Sequence, residues 1–164
     1  MIYYLGLGSN LGRKRENLRR ARELLAAAGV RTVKASSVYR TEPVGVSRQP
    51  WFYNQVLMVE SKRLPRALLA LAHEIEAALG RVRTAAAGPR TIDIDILLAG
   101  RSVIRSKGLT IPHPRLERRN FVLLPLAEVA PAAVHPVLRM TIARLLETSR
   151  DTAVVRRIRR LRRS

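Results

Sequence analysis

Residues 88–98 alternate between two kinds of side chain, and this stretch constrains the fold more than any other part of the chain. Ile92, Ile94 and Ile96 occupy every second position, with Asp93 and Asp95 between them. A period of two predicts a β-strand, on which residues two apart point to the same face of the sheet. The isoleucines are therefore predicted to face a core, and the two aspartates to project side by side on the other face.

The aspartate pair indicates a site for divalent cations. The Cα atoms of Asp93 and Asp95 are expected to lie about 6.5–7 Å apart, because a strand rises about 3.3 Å per residue. Carboxylates held this close repel each other unless a positive charge lies between them, and Mg²⁺ is the usual cation where carboxylates and phosphates share a site. The alternative is a pair of solvated acids on an open sheet face. The chain has only 12 acidic residues against 31 basic ones, and Arg90 lies just upstream, so we favour the metal site.

Length and composition indicate one folded domain. A chain of 164 residues with 47% hydrophobic residues is long enough to bury a substantial core. It has no run of 18 apolar residues and no basic segment followed by an apolar one at its start, so we expect neither a membrane span nor a secretory signal. The absence of cysteine is consistent with a cytoplasmic protein.

The net charge of +19 favours phosphate-bearing ligands. Of the basic residues, 27 are arginine, whose planar group binds phosphate through two hydrogen bonds. One alternative is therefore a basic nucleic-acid-binding module, although the chain has few aromatic residues on which bases could stack. No specific nucleic-acid partner is expected.

Hydrophobic periodicity and turn residues define the predicted elements. Strands are predicted at 2–7, 30–40, 52–61 and 91–98, with a short strand at 103–104. Helices are predicted at 14–28, 65–79, 118–129 and 141–148. Loops or turns are predicted at 6–12, 41–51, 81–88 and 109–114.

This order gives two β-α-β units with appended helices, which predicts an α+β, ferredoxin-like sandwich with helices packed on an antiparallel sheet. We divide the chain into a domain at 1–149 and an Arg-rich tail at 150–164. Val154, Ile158 and Leu161 have helical spacing in the tail, so the tail is expected to form a frayed, solvated helix.

Several other residues are candidates for ligand contacts. Gly6, Gly8 and Gly12 miss the dinucleotide-binding pattern by one residue, and we interpret them as allowing a flat ligand to approach closely. The next candidates are three arginines, a histidine in a loop and two residues on a helix. Arg81, Arg83 and Arg90 flank the aspartates as a possible phosphate funnel, His113 lies between two prolines, and His73 and Glu76 share a helix face. Taken singly, each is equally typical of an ordinary surface or structural residue.

The chain resembles the 6-hydroxymethyl-7,8-dihydropterin pyrophosphokinases of folate biosynthesis over nearly its full length. The resemblance depends on six blocks in register. They are residues 8–11 (GSNL), 37–45 (SVYRTEPVG), 49–54 (QPWFYN), 80–83 (GRVR), 88–98 (GPRTIDIDILL) and 109–114 (LTIPHP). It implies a ferredoxin-like fold and transfer of the diphosphate of ATP to the hydroxymethyl oxygen of the pterin, with release of AMP.

The resemblance also implies the site residues. It assigns two Mg²⁺ ions to Asp93 and Asp95, and catalytic roles to Arg81, Arg90 and Asp95, with Asp95 as a proton acceptor. The implied pterin contacts are Thr41, Val44, Phe52, Asn54 and Phe121. The implied ATP contacts are His73, Glu76, Arg83, Ile96, Thr110, His113 and Arg119. A monomer or weak homodimer is expected.

The chain departs from the family pattern in one loop above all. Members usually carry an arginine and often a tryptophan just before Gly-Pro-Arg, whereas residues 84–87 here are Thr-Ala-Ala-Ala, and the loop looks one residue shorter. Phe52 replaces a common tyrosine and His73 a common glutamine, and Gly108 lies where some members have an arginine contact. A second alternative is therefore a homologue that binds both ligands with impaired catalysis.

Overall fold

The computed structural model describes residues 1–43, 48–81 and 89–159. Its strands are β1 (Ile2–Ser9), β2 (Arg31–Ala35), β3 (Tyr39–Thr41), β4 (Phe52–Glu60), β5 (Asp93–Ala99), β6 (Ile104–Ser106), β7 (Leu109–Ile111) and β8 (Val155–Arg157). Its helices are α1 (Lys14–Ala27), α2 (Pro65–Ala78), α3 (Asn120–Val129) and α4 (Ile142–Thr148), with a 3-10 turn at Leu116–Arg118.

The main sheet confirms the predicted α+β sandwich. Its strand order is β5-β1-β4-β3-β8, β2 also pairs with β4, and every pairing is antiparallel. The two β-α-β units therefore interlock, with β1 and β4 at the centre.

A hydrophobic core covers each face of this sheet. Tyr3, Leu5 and Leu7 of β1 and the three isoleucines at 92, 94 and 96 pack with α1 and α2 on one face. Val56 and Leu97 pack with α3 and α4 on the other face. The predicted alternation of β5 is confirmed, because the isoleucines are buried while Asp93 and Asp95 lie on the opposite face.

The helix boundaries follow the expected sequence signals. Gly29, with φ of 84°, follows α1 in the left-handed conformation that glycine adopts readily. Pro65 begins α2, where its missing N–H costs nothing. The side chain of Thr141 accepts a hydrogen bond from the Arg144 amide at the start of α4. Among the described residues, no helix has both the length and the apolar character needed to cross a bilayer.

Four sequence predictions were wrong in detail. Residues 30–40 form two strands, because the regular pairing with β4 ends at Ala35 and resumes at Tyr39. The strand predicted at 2–7 continues to Ser9, so Gly6 and Gly8 lie in β1 and not in a turn. Helix α3 begins at Asn120 after the 3-10 turn. Residues 109–111, predicted as loop, pair with β6 as β7.

The prediction of a helix in the Arg-rich tail is wrong for the residues that the structure describes, and Leu161 lies outside them. Val155–Arg157 form strand β8 beside β3, with Thr41 opposite Val155, and not a frayed helix. The amide of Ile158 donates to the Val38 carbonyl at 2.8 Å, which extends the pairing by one residue. Backbone hydrogen bonds with β3 therefore hold this part of the tail. The division into residues 1–149 and 150–164 remains a prediction.

Candidate active site

Two adjoining pockets lie at the β5 edge of the sheet, the first on the face that α3 covers in part and the second reaching α2 on the other side. The first has a volume of about 510 Å³ and the second of about 380 Å³. Asp93, Asp95, Arg81 and His113 line both pockets. The aspartate pair therefore marks the junction of the two.

Glycines leave the sheet surface open beside the aspartates. In the strand register, Gly8 lies between Asp93 on β5 and Asn54 on β4, and Gly6 lies opposite Asp95. A Cβ atom at Gly8 would lie 2.8 Å from Oδ1 of Asn54, closer than real Cβ atoms approach. The space beside Gly8 is therefore taken up by the Asn54 amide, and the approach of a flat ligand to these glycines remains a prediction.

Asp93 is held by two arginines. Its Oδ1 accepts a hydrogen bond from Nη1 of Arg81 and its Oδ2 one from Nη1 of Arg90, both at 2.8 Å. Arg81 also forms an ion pair with Glu76, a buried carboxylate on α2 that accepts a hydrogen bond from the Ile94 amide. Burial alone would lower the pKa of Arg81, but the carboxylates of Asp93 and Glu76 raise it. The guanidinium groups are thus fixed and charged beside the pocket junction.

The surroundings of Asp95 disfavour its ionised form. Its carboxylate makes no hydrogen bond or ion pair with other residues in the described part of the chain. Burial, and then the charges of Asp93 and Glu76, raise the pKa of Asp95 to about 7 despite Arg90 and Arg81. A cation bound between the two aspartates would remove this repulsion. Among the described residues no cluster of three or more acidic, histidine or cysteine side chains surrounds a metal position.

His113 is positioned by its own backbone and by the loop after it. Its amide donates to the Leu97 carbonyl at 3.0 Å, and its Nδ1 accepts from the Arg115 amide at 3.2 Å. Burial, followed by the charge of Arg119, lowers the pKa of His113. A neutral imidazole whose Nδ1 accepts carries its proton on Nε2.

The residues predicted for the pterin surround the first pocket. Thr41, Phe52, Asn54 and Phe121 all line it. Nδ2 of the buried Asn54 donates to Oγ1 of Thr41 at 2.6 Å, which fixes the amide on the sheet surface. Val44 lies outside the described residues.

The residues predicted for ATP divide between the pockets. His73, Glu76, Ile96 and Thr110 line the second pocket, Arg119 lines the first, and His113 lines both. Arg119 also lies over the ring of Phe121, 5.4 Å from its centroid. Arg83 and the alanine loop at 84–87 lie outside the described residues.

Sequence reasoning missed Asn10, which links three segments around the first pocket. Its side chain is fully buried. Its Oδ1 accepts from the Arg90 amide at 2.7 Å, and its Nδ2 donates to Gln49 Oε1 at 3.1 Å and to the Pro50 carbonyl at 3.2 Å. The available signal was an asparagine at the end of a strand, which is equally typical of a turn.

Comparison with known proteins decides the family. The family model described as 7,8-dihydro-6-hydroxymethylpterin-pyrophosphokinase (HPPK) matches residues 4–131. The chain belongs to this family. Two bacterial relatives are named 2-amino-4-hydroxy-6-hydroxymethyldihydropteridine pyrophosphokinase. That of Methylorubrum extorquens is 47% identical over 80% of this chain and 84% of its own length. That of Bacillus subtilis is 46% identical over 78% and 77%.

Other HPPK relatives are larger proteins. The folic acid synthesis protein fol1 of Pneumocystis carinii is 42% identical over 88% of this chain, which spans only 20% of that protein. A solved HPPK-DHPS structure from Plasmodium falciparum superposes with a TM-score of 0.74 at 17% identity. The match covers 89% of this chain and 45% of that one. This likeness shows the fold alone.

Proposed function

We propose that this HPPK chain transfers the β,γ-diphosphoryl group of ATP to the hydroxymethyl oxygen of 6-hydroxymethyl-7,8-dihydropterin and releases AMP. The observation that carries the proposal is the position of Asp93 and Asp95. They lie where a pocket lined by four of the expected pterin residues meets one lined by five of the expected nucleotide residues. A diphosphate in transit between the two ligands has to pass this junction.

The residues at the junction fit Mg²⁺. Asp93 and Asp95 supply the oxygen ligands that Mg²⁺ prefers, and a cation between them would relieve the repulsion that helps to raise the pKa of Asp95. Two protein carboxylates suffice where phosphate oxygens and water complete the coordination. When bound there, the metal would neutralise phosphate charge and help to orient the reacting groups.

The protein's own cations have a defined part in this proposal. Arg81 and Arg90, tethered by Asp93, present guanidinium groups that can donate to phosphate oxygens as charge shifts during transfer. Nε2–H of His113 is a further donor at the junction. Because the groups are held in place before the substrates bind, little reorganisation is needed during the reaction.

The proposed transfer balances as a single displacement. The hydroxymethyl oxygen forms a bond to the β-phosphorus, and the bond from that phosphorus to the oxygen it shares with the α-phosphate breaks. AMP leaves with that oxygen. Asp95 is the proposed acceptor of the hydroxyl proton.

The first pocket is proposed to hold the pterin. Asn54 offers both a donor and an acceptor to the amide-like edge of the ring, and Thr41 fixes its orientation. The ring of Phe121 offers a stacking surface. A cytoplasmic location and a monomeric or weakly dimeric state remain predictions from the sequence.

The proposal is tested by mixing the purified protein with ATP, Mg²⁺ and 6-hydroxymethyl-7,8-dihydropterin and separating the nucleotides. We expect pterin-dependent AMP and no ADP. Asp95→Asn should lower kcat by at least about 100-fold, in keeping with the loss of a proton acceptor. Glu74→Gln, which removes an exposed carboxylate from α2 away from both pockets, is the matched control and should retain wild-type turnover.

Two outcomes would contradict the proposal. Formation of ADP would indicate transfer of the γ-phosphoryl group alone. Absence of AMP while calorimetry still detects binding of both ligands would favour the catalytically impaired homologue.

A further inference from the structure

A cavity of about 1040 Å³ lies at the opposite edge of the sheet from the aspartate pair. We call it the basic groove, because five arginines line it. These are Arg15, Arg19, Arg22, Arg157 and Arg159. Asp93 is on β5 and Arg157 is on β8, which lie at opposite ends of the strand order, so the two sites are separated by roughly 19 Å at about 4.8 Å per strand.

The basic groove results from the split between β2 and β3. Residues 36–38 lie between these two strands and form part of the groove lining. Arg15, Arg19 and Arg22 have the spacing of one helix face, so α1 presents all three on one side of the groove. The pairing of Ile158 with Val38 places Arg157 and Arg159 on the other side. Tertiary structure thus brings together two arginine clusters that are more than 130 residues apart in the chain.

The arginines of the basic groove carry more positive charge than the neighbouring carboxylates neutralise. Arg19 is paired with Glu16 and Glu23. Glu128 accepts hydrogen bonds from the amide and the hydroxyl of Ser37 and from the hydroxyl of Tyr39. Arg15, Arg22 and Arg159 form no ion pair with any residue in the ranges that the structure describes. Arg157 lies close enough to Glu128 to help lower the pKa of that carboxyl, so it is these three arginines that leave the groove positive.

We propose that the basic groove binds the phosphate backbone of a nucleic acid without reading its bases. Arginine on both walls suits a ligand that carries regularly spaced phosphates. Among the described residues that line the groove none is aromatic, so there is no platform on which unpaired bases could stack. The expected ligand is therefore a duplex held by its backbone. This inference does not depend on the proposed pterin chemistry.

The test is a salt titration of binding to a fluorescein-labelled 20-base-pair DNA of mixed sequence, followed by anisotropy. Each phosphate contact adds about −0.9 to the slope of log K against log salt concentration. The double variant Arg15→Gln/Arg22→Gln should therefore reduce the slope by about 1.8. A salt concentration of 0.1 M is one tenfold dilution below 1 M, and over that dilution each contact adds about 0.9 to log K. Loss of two contacts should therefore lower the affinity at 0.1 M salt by roughly 60-fold.

The matched control is Arg101→Gln/Arg105→Gln, which removes the same charge from exposed positions outside the basic groove. It should leave the slope nearly unchanged, and both double variants should keep wild-type pterin turnover. If the groove variant loses stability in thermal unfolding, Arg157→Gln/Arg159→Gln replaces it.

Three results would overturn the proposal. The first is no binding of DNA at 50 mM salt. The second is an equal change of slope in the groove and control variants, which would mean attraction to net charge alone. The third is much tighter binding of single-stranded than of duplex DNA of the same length.

Discussion

Replacing Gly8 by alanine tests the geometry of the first pocket. The added Cβ would lie 2.8 Å from Oδ1 of Asn54, whereas ordinary contacts begin near 3.4 Å. The amide of Asn54 therefore has to move by about half an ångström, but its Nδ2 is held by Thr41 at 2.6 Å. Overpacking of this kind costs about 1–3 kcal/mol.

This cost is expected to appear in pterin binding. A factor of ten in affinity corresponds to about 1.4 kcal/mol, so the Kd for the pterin should rise by roughly 5- to 150-fold. The Kd for ATP should change by less than about twofold, because the displaced amide faces the first pocket. Titration calorimetry with the pterin and a non-hydrolysable ATP analogue measures both values.

Gly6→Ala is the matched control on the same strand and face. Its Cβ would meet only the side chain of Leu97, at 3.4 Å, which is a tolerable contact. We expect a near-normal Kd for the pterin. An equal loss of pterin affinity in the two variants, or no loss in Gly8→Ala, would refute the argument from Asn54.

Three further predictions concern stability and loop position. Glu128→Ala should destabilise the fold by about 1 kcal/mol at pH 7 in urea unfolding, because three donors lose their acceptor. Burial raises the pKa of Glu128, but hydrogen bonds from Tyr39 and Ser37 outweigh burial and lower this pKa overall. The stabilisation by Glu128 is therefore fully present above the pKa of the unfolded state, and it is lost as the pH falls through the pKa of the folded state. A difference that persisted at pH 2 would refute this. Leu5→Ala should cost about 2–5 kcal/mol in the same assay, since Leu5 is fully buried, and a cost below 1 kcal/mol would contradict the core assignment. Asn10→Ala should raise the KM for both substrates, because the segments at Gln49 and Arg90 lose their hydrogen bonds to Asn10. The KM values are measured from AMP formation, and unchanged values would show that these bonds do not position the site.

The sequence predicted best those elements whose pattern is local. Strand β5 was predicted because the alternation of isoleucine and aspartate indicates a strand with one buried and one open face. The ends of α1 and α2 were predicted because Gly29 and Pro65 act within one turn of the helix.

Elements that depend on distant partners were missed. The tail has helical spacing at Val154 and Ile158, yet three of its residues form a strand because β3 offers unpaired backbone groups across the sheet. Strand β7 is three residues long and exists through its pairing with β6. In the site, proximity of Arg81 and Arg90 to the aspartates was predicted. The ion pair of Arg81 with Glu76 and the bonds of Asn10 require the packed structure and carry no local pattern.

The position of β8 has a consequence for synthesis on the ribosome. Thr41 pairs with Val155, 114 positions later, so the strand that bears Thr41 keeps an open edge until almost the last described residues have left the exit tunnel. The central strands and α1 and α2 can pack before that point, whereas the wall around Thr41 cannot be completed. During this interval the free edge of β3 is available to a strand of a neighbouring nascent chain on the same polysome.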